Sequence, residues 1–238
     1  MKKTSILTIT ISSFSLVVSS IALGISISNA CKKEKTADEI FNIAKYSIAE
    51  LKSTKSNGEV EYGTAVLVSD NGFFATNAHL LLYENGGIVK EYNKHYIRFA
   101  FEEEYHEINL YKYNYEQDIA YLKIDENIAN TKPILISESK IQYGDTCYAV
   151  GNGMNHGIGI SKGTISIPLT TIVTGTVTRD VIQCDLAINS GNSGGALLNS
   201  DGELIGITSF RMKANDGSVI YGTSYCIPYS QYLDVLNN

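Results

Sequence analysis

The chain has 238 residues, of which 44% are hydrophobic and 18% charged, enough apolar material for one large or two small globular units. A formal net charge of −6 argues against nucleic acid as the partner. Four cysteines without metal-ligand spacing exclude a zinc-type site, and neither a metal nor another cofactor is expected.

Lys2 and Lys3 open the chain, and an uncharged Ile/Leu/Val/Ser stretch runs from Ser5 to Ile27. Ser28-Asn29-Ala30 then presents small residues at the first and third positions, the layout of a secretory signal peptide cleaved after residue 30. Cys31 would become the new N-terminus and is a lipidation candidate, partly resembling a bacterial lipoprotein. Simple secretion and an uncleaved membrane anchor are the alternatives, the apolar stretch being long enough to span a bilayer. All three place the folded part outside the cytoplasm, with residues 31–37 as linker.

Thr36-Ala37-Asp38-Glu39 is a capping box and predicts a short helix to about Lys45. Beyond it the pattern changes to short Val/Ile/Tyr/Thr-rich runs between Gly/Asn/Asp turns. Strands are expected at 47–52, 63–69, 73–77, 96–101, 107–113, 119–124, 146–151, 163–167, 181–187, 196–199, 204–210 and 222–227. Asp70-Asn71-Gly72 and Ser200-Asp201-Gly202 read as hairpin turns, and residues 230–236 as a short closing helix. About twelve short strands without long helices between them make the chain all-β, a barrel or sandwich pair. Cys147, Cys184 and Cys226 sit in apolar or β-branched contexts and are expected as buried free thiols, Cys184 with Cys226 being the one candidate pair.

Asn189-Ser190-Gly191-Asn192-Ser193-Gly194-Gly195-Ala196-Leu197 sets one serine among glycines before an apolar run. A serine hydroxyl is a weak nucleophile unless a base removes its proton and donors await the oxyanion. Of the four histidines, His79 ends the apolar run from Phe73, where a satisfied core histidine is the competing reading. His95 and His106 lie in charged, tyrosine-rich segments and read as surface. His156 falls in the flexible 151–159 stretch, a candidate substrate loop. Asp118 stands between a polar turn and the apolar run 119–124, which suits a buried carboxylate that fixes an imidazole tautomer; turn formation is its bland alternative. Asp185, within an expected strand, reads as a structural acceptor.

Gly191-Asn192-Ser193-Gly194-Gly195 also satisfies the G-x-S-x-G pattern of α/β-hydrolases. Those enzymes place the histidine after the serine, and no histidine follows Ser193 here. The order His79, Asp118, Ser193 remains.

With these residues the chain resembles trypsin-like serine proteases, and among them the HtrA/Deg-type bacterial proteases. The matching blocks run from Gly63-Thr64-Ala65-Val66 to Ala78-His79, from Gln117-Asp118-Ile119 to Ile124, and from Ile182-Gln183-Cys184-Asp185 to Ala196-Leu197. The resemblance implies two perpendicular six-stranded β-barrels, about residues 47–130 and 134–228, in a protease domain covering 38–238. It implies a catalytic triad of His79, Asp118 and Ser193, an oxyanion hole from the Gly191 and Ser193 N–H groups, and protein or peptide substrates. It sets the specificity pocket between residues 187–190 and 207–211, naming Ala187, Asn189, Ser190, Thr208 and Ser209. No acid stands at Ala187 and no histidine at Thr208, so small or medium apolar substrate side chains are expected rather than Lys, Arg or Glu. HtrA proteases usually carry PDZ domains after the protease. None is expected here, so their peptide-sensing regulation is not carried over and the oligomeric state is left open. A non-catalytic binding protein of the same fold and a narrow-specificity secreted processing protease are the alternatives.

Overall fold

The computed structural model describes residues 34–174, 176–211, 220 and 222–237. The leader reading of residues 1–30 and the lipid reading of Cys31 lie outside the described residues. Among the described residues no helix is long and apolar enough to cross a membrane.

Helix α1 (Ala37–Ala44) starts at the expected capping box. Thr36 Oγ1 accepts from the Glu39 N–H (3.2 Å), and the Glu39 carboxylate accepts from the Thr36 N–H (2.7 Å). Strands β1 (Ile48–Thr54), β2 (Val60–Ser69) and β3 (Phe73–Thr76) follow, then a separate hairpin, β4 (Leu82–Asn85) and β5 (Ile88–Glu91). Strands β6 (Lys94–Phe99), β7 (His106–Asn114) and β8 (Ile119–Lys123) return to the first three and close a barrel in the order β1-β2-β3-β8-β7-β6. A second closed barrel is built from β9 (Thr146–Gly151), β10 (Gly159–Thr174), β11 (Val177–Cys184), β12 (Ala196–Leu198), β13 (Leu204–Phe210) and β14 (Ser224–Pro228), in the order β10-β11-β14-β13-β12-β9. Helix α2 (Tyr229–Asn237) ends the described chain.

Apolar side chains collect in three places. One cluster fills the first barrel around Leu51, Leu67, Phe74, Phe99 and Leu122. Another fills the second around Cys147, Ile165, Ile182, Leu197 and Cys226. The third joins the barrels, drawing Val66, Ile119 and Tyr121 from the first, Tyr148, Leu198 and Ile227 from the second, Ile40 from α1 and Tyr232 from α2. Strands at this seam therefore bury both faces. In β8, Ile119 and Tyr121 face the seam while Ala120 and Leu122 face the barrel interior. In β9, Tyr148 and Val150 face the seam, Cys147 and Ala149 the interior. Burial on both faces is why these segments read as continuous apolar runs rather than as alternating ones.

Three expectations are corrected. The hairpin β4–β5 was not anticipated, because its strands are short, polar and largely exposed; only Asn85-Gly86-Gly87 marks it, with both glycines at positive φ (63° and 78°) as a tight hairpin turn requires. Strand β10 runs well beyond 163–167, because register shifts between Ile165 and Thr170 let the ladder continue past Pro168 and break the alternation. His95 is buried, not on the surface: its Nδ1 meets Ser53 Oγ (2.9 Å) and its Nε2 the Glu91 carboxylate (3.2 Å). Cys147, Cys184 and Cys226 are buried free thiols.

Candidate active site

Strand β3 delivers His79. After Thr76 the chain enters a 3-10 turn, Ala78–Leu80, and buried Leu80, Leu81 and Leu82 pin the turn to the first barrel. Asp118 is the residue immediately before β8. Its φ of 58° lies in the left-handed region, which an aspartate tolerates better than a bulky residue does. Its carbonyl accepts from the Ala78 N–H (3.3 Å) and from Asn77 Nδ2 (3.2 Å), so β8 and the His79 turn are tied at the backbone. Tyr232 of α2 adds to this seam, donating its hydroxyl to the Thr76 carbonyl (2.9 Å).

The Asp118 carboxylate is buried and fully engaged. Oδ1 accepts from the His79 N–H (3.0 Å) and from His79 Nδ1 (2.9 Å), Nδ1 lies 3.0 Å from Oδ2, and Oδ2 accepts from Ser209 Oγ (2.8 Å). An ionised carboxylate can only accept, so the proton sits on Nδ1 and the neutral ring presents Nε2 as a base. Burial disfavours charge on both groups and is the largest single influence on each. The opposite charge of the partner and the hydrogen bonds between them outweigh it, so the His79 pKa is raised and that of Asp118 lowered. His79 keeps 42% side-chain exposure, on the edge that borders the cleft.

Ser193 lies in the loop before β12. Gly191 (φ 90°) and Gly194 (φ 81°) take left-handed conformations, and a Cβ at either would fall on a backbone carbonyl, Asn152 for Gly191 and Thr64 for Gly194. Every carbonyl from Asn189 to Ser193 is already taken. Asn189 O accepts from the Asn192 N–H (3.0 Å), Ser190 O from the Met154 N–H (2.6 Å), and Gly191 O from Thr64 Oγ1 (2.7 Å). Asn192 O accepts from the Gly195 N–H and from Thr208 Oγ1, and Ser193 O from the Thr64 N–H (2.9 Å). In a trans peptide the N–H points opposite to the preceding C=O. Anchoring Ser190 O and Asn192 O thus turns the Gly191 and Ser193 N–H groups the other way, and among the described residues neither has a protein acceptor. Two unsatisfied donors beside a serine suit a developing oxyanion.

The Ser193 hydroxyl donates to the Ser209 carbonyl (2.7 Å). No hydrogen bond joins it to His79 among the described residues. Ser193, His79 and Asp118 nevertheless line one cavity of about 480 Å³, together with Ser209.

A family model described as trypsin-like peptidase domain matches residues 63–207. The chain belongs to the trypsin-like peptidase family. It is 34% identical over 175 residues to the serine endoprotease DegS of Haemophilus influenzae, covering 73% of this chain and 48% of that one. It is 30% identical over 176 residues to a probable periplasmic serine endoprotease, DegP-like, of Pseudomonas putida, covering 74% of this chain and 34% of that one. Among solved structures, the HtrA-type protease AlgW with tripeptide superposes with a TM-score of 0.69 at 30% identity, over 85% of this chain and 63% of that one. The chain spans about half or less of the length of these curated relatives.

In this trypsin-like peptidase the residues expected at the specificity pocket separate. Asn189, Ser190 and Ser209 line the cavity. Ala187 is exposed and outside the lining, and Thr208 is buried beneath the nucleophile loop, its hydroxyl on the Asn192 and Gly195 carbonyls. His156 is exposed and outside the lining. Asp185 accepts from the Thr164 N–H and hydroxyl, bridging β10 and the end of β11. Four contributions were not foreseen, although Ser209 was expected in the pocket and Arg211 lies within its expected wall, 207–211. Ser209 reaches the Asp118 carboxylate from 91 residues away, Thr64 holds the nucleophile loop, and Arg179 and Arg211 enter the cavity. None of them has a local sequence signature; the glycine before Thr64, within a strand, was the one hint of a close approach.

Proposed function

We propose that this chain is a serine endopeptidase acting on proteins or peptides outside the cytoplasm, with His79 as base, Asp118 as its orienting acid and Ser193 as nucleophile. The observation that carries the reading is the His79 Nδ1–Asp118 pair, which leaves Nε2 as a neutral base in the cavity that Ser193 lines. In the first step Ser193 Oγ turns from the Ser209 carbonyl, gives its proton to His79 Nε2 and bonds to the scissile carbonyl carbon. The oxyanion is met by the Gly191 and Ser193 N–H groups. His79 then passes the proton to the leaving amine, which departs and leaves an acyl group on Ser193. Water, deprotonated by His79, attacks that ester, and the proton returns to Ser193 as the carboxylic acid leaves. Each oxyanion donor of this kind contributes about 3–4 kcal/mol of transition-state stabilisation.

The leader pattern of residues 1–30, with Cys31 as lipid acceptor or a secreted form without it, supports the extracytoplasmic placement, as does the periplasmic relative. Labelling with a fluorophosphonate tests the chemistry. Wild type should label, and Ser193→Ala and His79→Ala should not; equal labelling of Ser193→Ala would remove the assignment. Mass spectrometry of the mature N-terminus tests cleavage after residue 30 and a lipid on Cys31.

A further inference from the structure

The cavity beside Ser193 carries positive charge for which the reaction itself has no use. The chain contains three arginines, and two of them, Arg179 and Arg211, line this cavity in a protein whose net charge is −6. The one carboxylate in the lining, Asp118, is committed to His79 and Ser209. Among the described residues no acidic side chain forms an ion pair with either arginine.

Arg211 follows Ser209 and Phe210, and all three line the cavity. Its Nη1 donates to Asn189 Oδ1 (3.3 Å), another lining residue, in the segment that leads to Ser193. The guanidinium is therefore tied to a second lining residue rather than swinging in solvent, and Phe210, the last residue of β13 and the one before Arg211, stacks on Tyr225 (5.4 Å between centroids). A guanidinium has five N–H donors, and only one is engaged among the described residues. Arg179 enters from the His79 side, fixed by its Nε donating to the Glu116 carbonyl (2.6 Å).

The residue whose carbonyl Ser193 attacks carries its side chain on the Cα bonded to that carbon, close enough to reach the cavity that Ser193 lines. An apolar group there would strip water from a guanidinium and return no hydrogen bond. A carboxylate would receive a charge-assisted, bidentate pair from the fork that Arg211 presents. Resting on the serine endopeptidase reading above, we propose that the residue before the scissile bond is acidic, Glu or Asp. Arg211 is the specificity-determining residue, and Arg179 adds to the positive field. The expectation of an apolar pocket considered Ala187 and Thr208, neither of which lines the cavity; Arg211 does.

The test is a set of fluorogenic peptides identical except for Glu, Asp, Gln, Val or Lys before the scissile bond, with kcat/KM measured for wild type, Arg211→Gln and Arg179→Gln. Fluorophosphonate labelling of each protein is measured alongside. Wild type should favour Glu over Gln, its uncharged isostere, by about tenfold or more. Arg211→Gln should bring that ratio close to one while still labelling at Ser193, and Arg179→Gln should reduce it less. The ratio should fall as salt is raised. Equal rates on Glu and Gln in a wild type that labels would overturn the specificity and leave the endopeptidase standing. So would a Glu preference that survives Arg211→Gln, or a preference for Val that Arg211→Gln increases. A wild type that does not label would overturn both. If Arg211→Gln fails to fold, the wild-type Glu/Gln ratio and its salt dependence decide alone.

Discussion

In the first barrel Asp118 is held through its carboxylate by His79 and Ser209 and through its carbonyl by Ala78 and Asn77, so the acid and the imidazole form one fixed unit. In the second barrel the backbone around Ser193 is just as firmly held, yet the hydroxyl donates to the Ser209 carbonyl rather than to His79. Ser209 is shared by both halves: its hydroxyl donates to the Asp118 carboxylate and its carbonyl accepts from the Ser193 hydroxyl. On the proposed roles, the base is built by the fold, whereas the nucleophile must first turn from the Ser209 carbonyl.

The predictions test that contrast from the largest effect to the smallest. Ser193→Ala and His79→Ala should each lower kcat by about 10⁶-fold on a cleavable peptide, and the double variant should be no worse, because the two act as one unit. Additive losses would break the pairing. Asp118→Asn should cost about 10⁴-fold, since an amide can offer its NH₂ to the ring and favour the wrong tautomer. A loss below tenfold would mean that the first barrel does not pre-build the base.

Thr64→Val should lower kcat by about 10²-fold with KM little changed, because Gly191 O loses its donor and the neighbouring peptides their orientation. Thr64→Ser should recover most of the activity, which a purely volumetric role of the side chain would not produce. At the scale of a pH profile, the raised His79 pKa shifts the acid limb of kcat/KM above the ordinary histidine value, and Asp118→Asn moves it back down.

Stability should run the opposite way to activity. The raised His79 pKa contributes stability in full below the unfolded value, and that contribution is lost as pH rises through the folded one. The lowered Asp118 pKa contributes above the unfolded carboxylate value, and its part is lost as pH falls through the folded one. Thermal unfolding across pH should therefore show this pair's stabilisation declining on the alkaline side, where the proposed base is neutral and activity is expected. Smallest in its effect on turnover, His95→Ala should cost about 1–3 kcal/mol of stability through the unpartnered Ser53 while each folded molecule keeps its activity. An inactive but folded His95→Ala protein would assign the base to the wrong histidine.

Features that are local or periodic are legible in the residues alone. The capping box at Thr36 marks α1, and the glycines at 191 and 194 mark a backbone no bulkier residue could follow. The doubly apolar runs 119–124 and 146–151 mark strands buried on both faces, and His79, Asp118 and Ser193 are legible because each stands at the end of such a run or just before one. What depends on contacts between distant segments was decided only by tertiary structure. Ser209 finds Asp118 and Thr64 finds Gly191 across the seam between the barrels. Arg211 crosses to Asn189, and His95 sinks between Ser53 and Glu91 although its neighbours in sequence are polar. A hydroxyl or a guanidinium has the same local pattern whether it ends in water or in a site. Its partner is set by how the two barrels close and pack, and that packing is written in the apolar seam, not beside the residue itself.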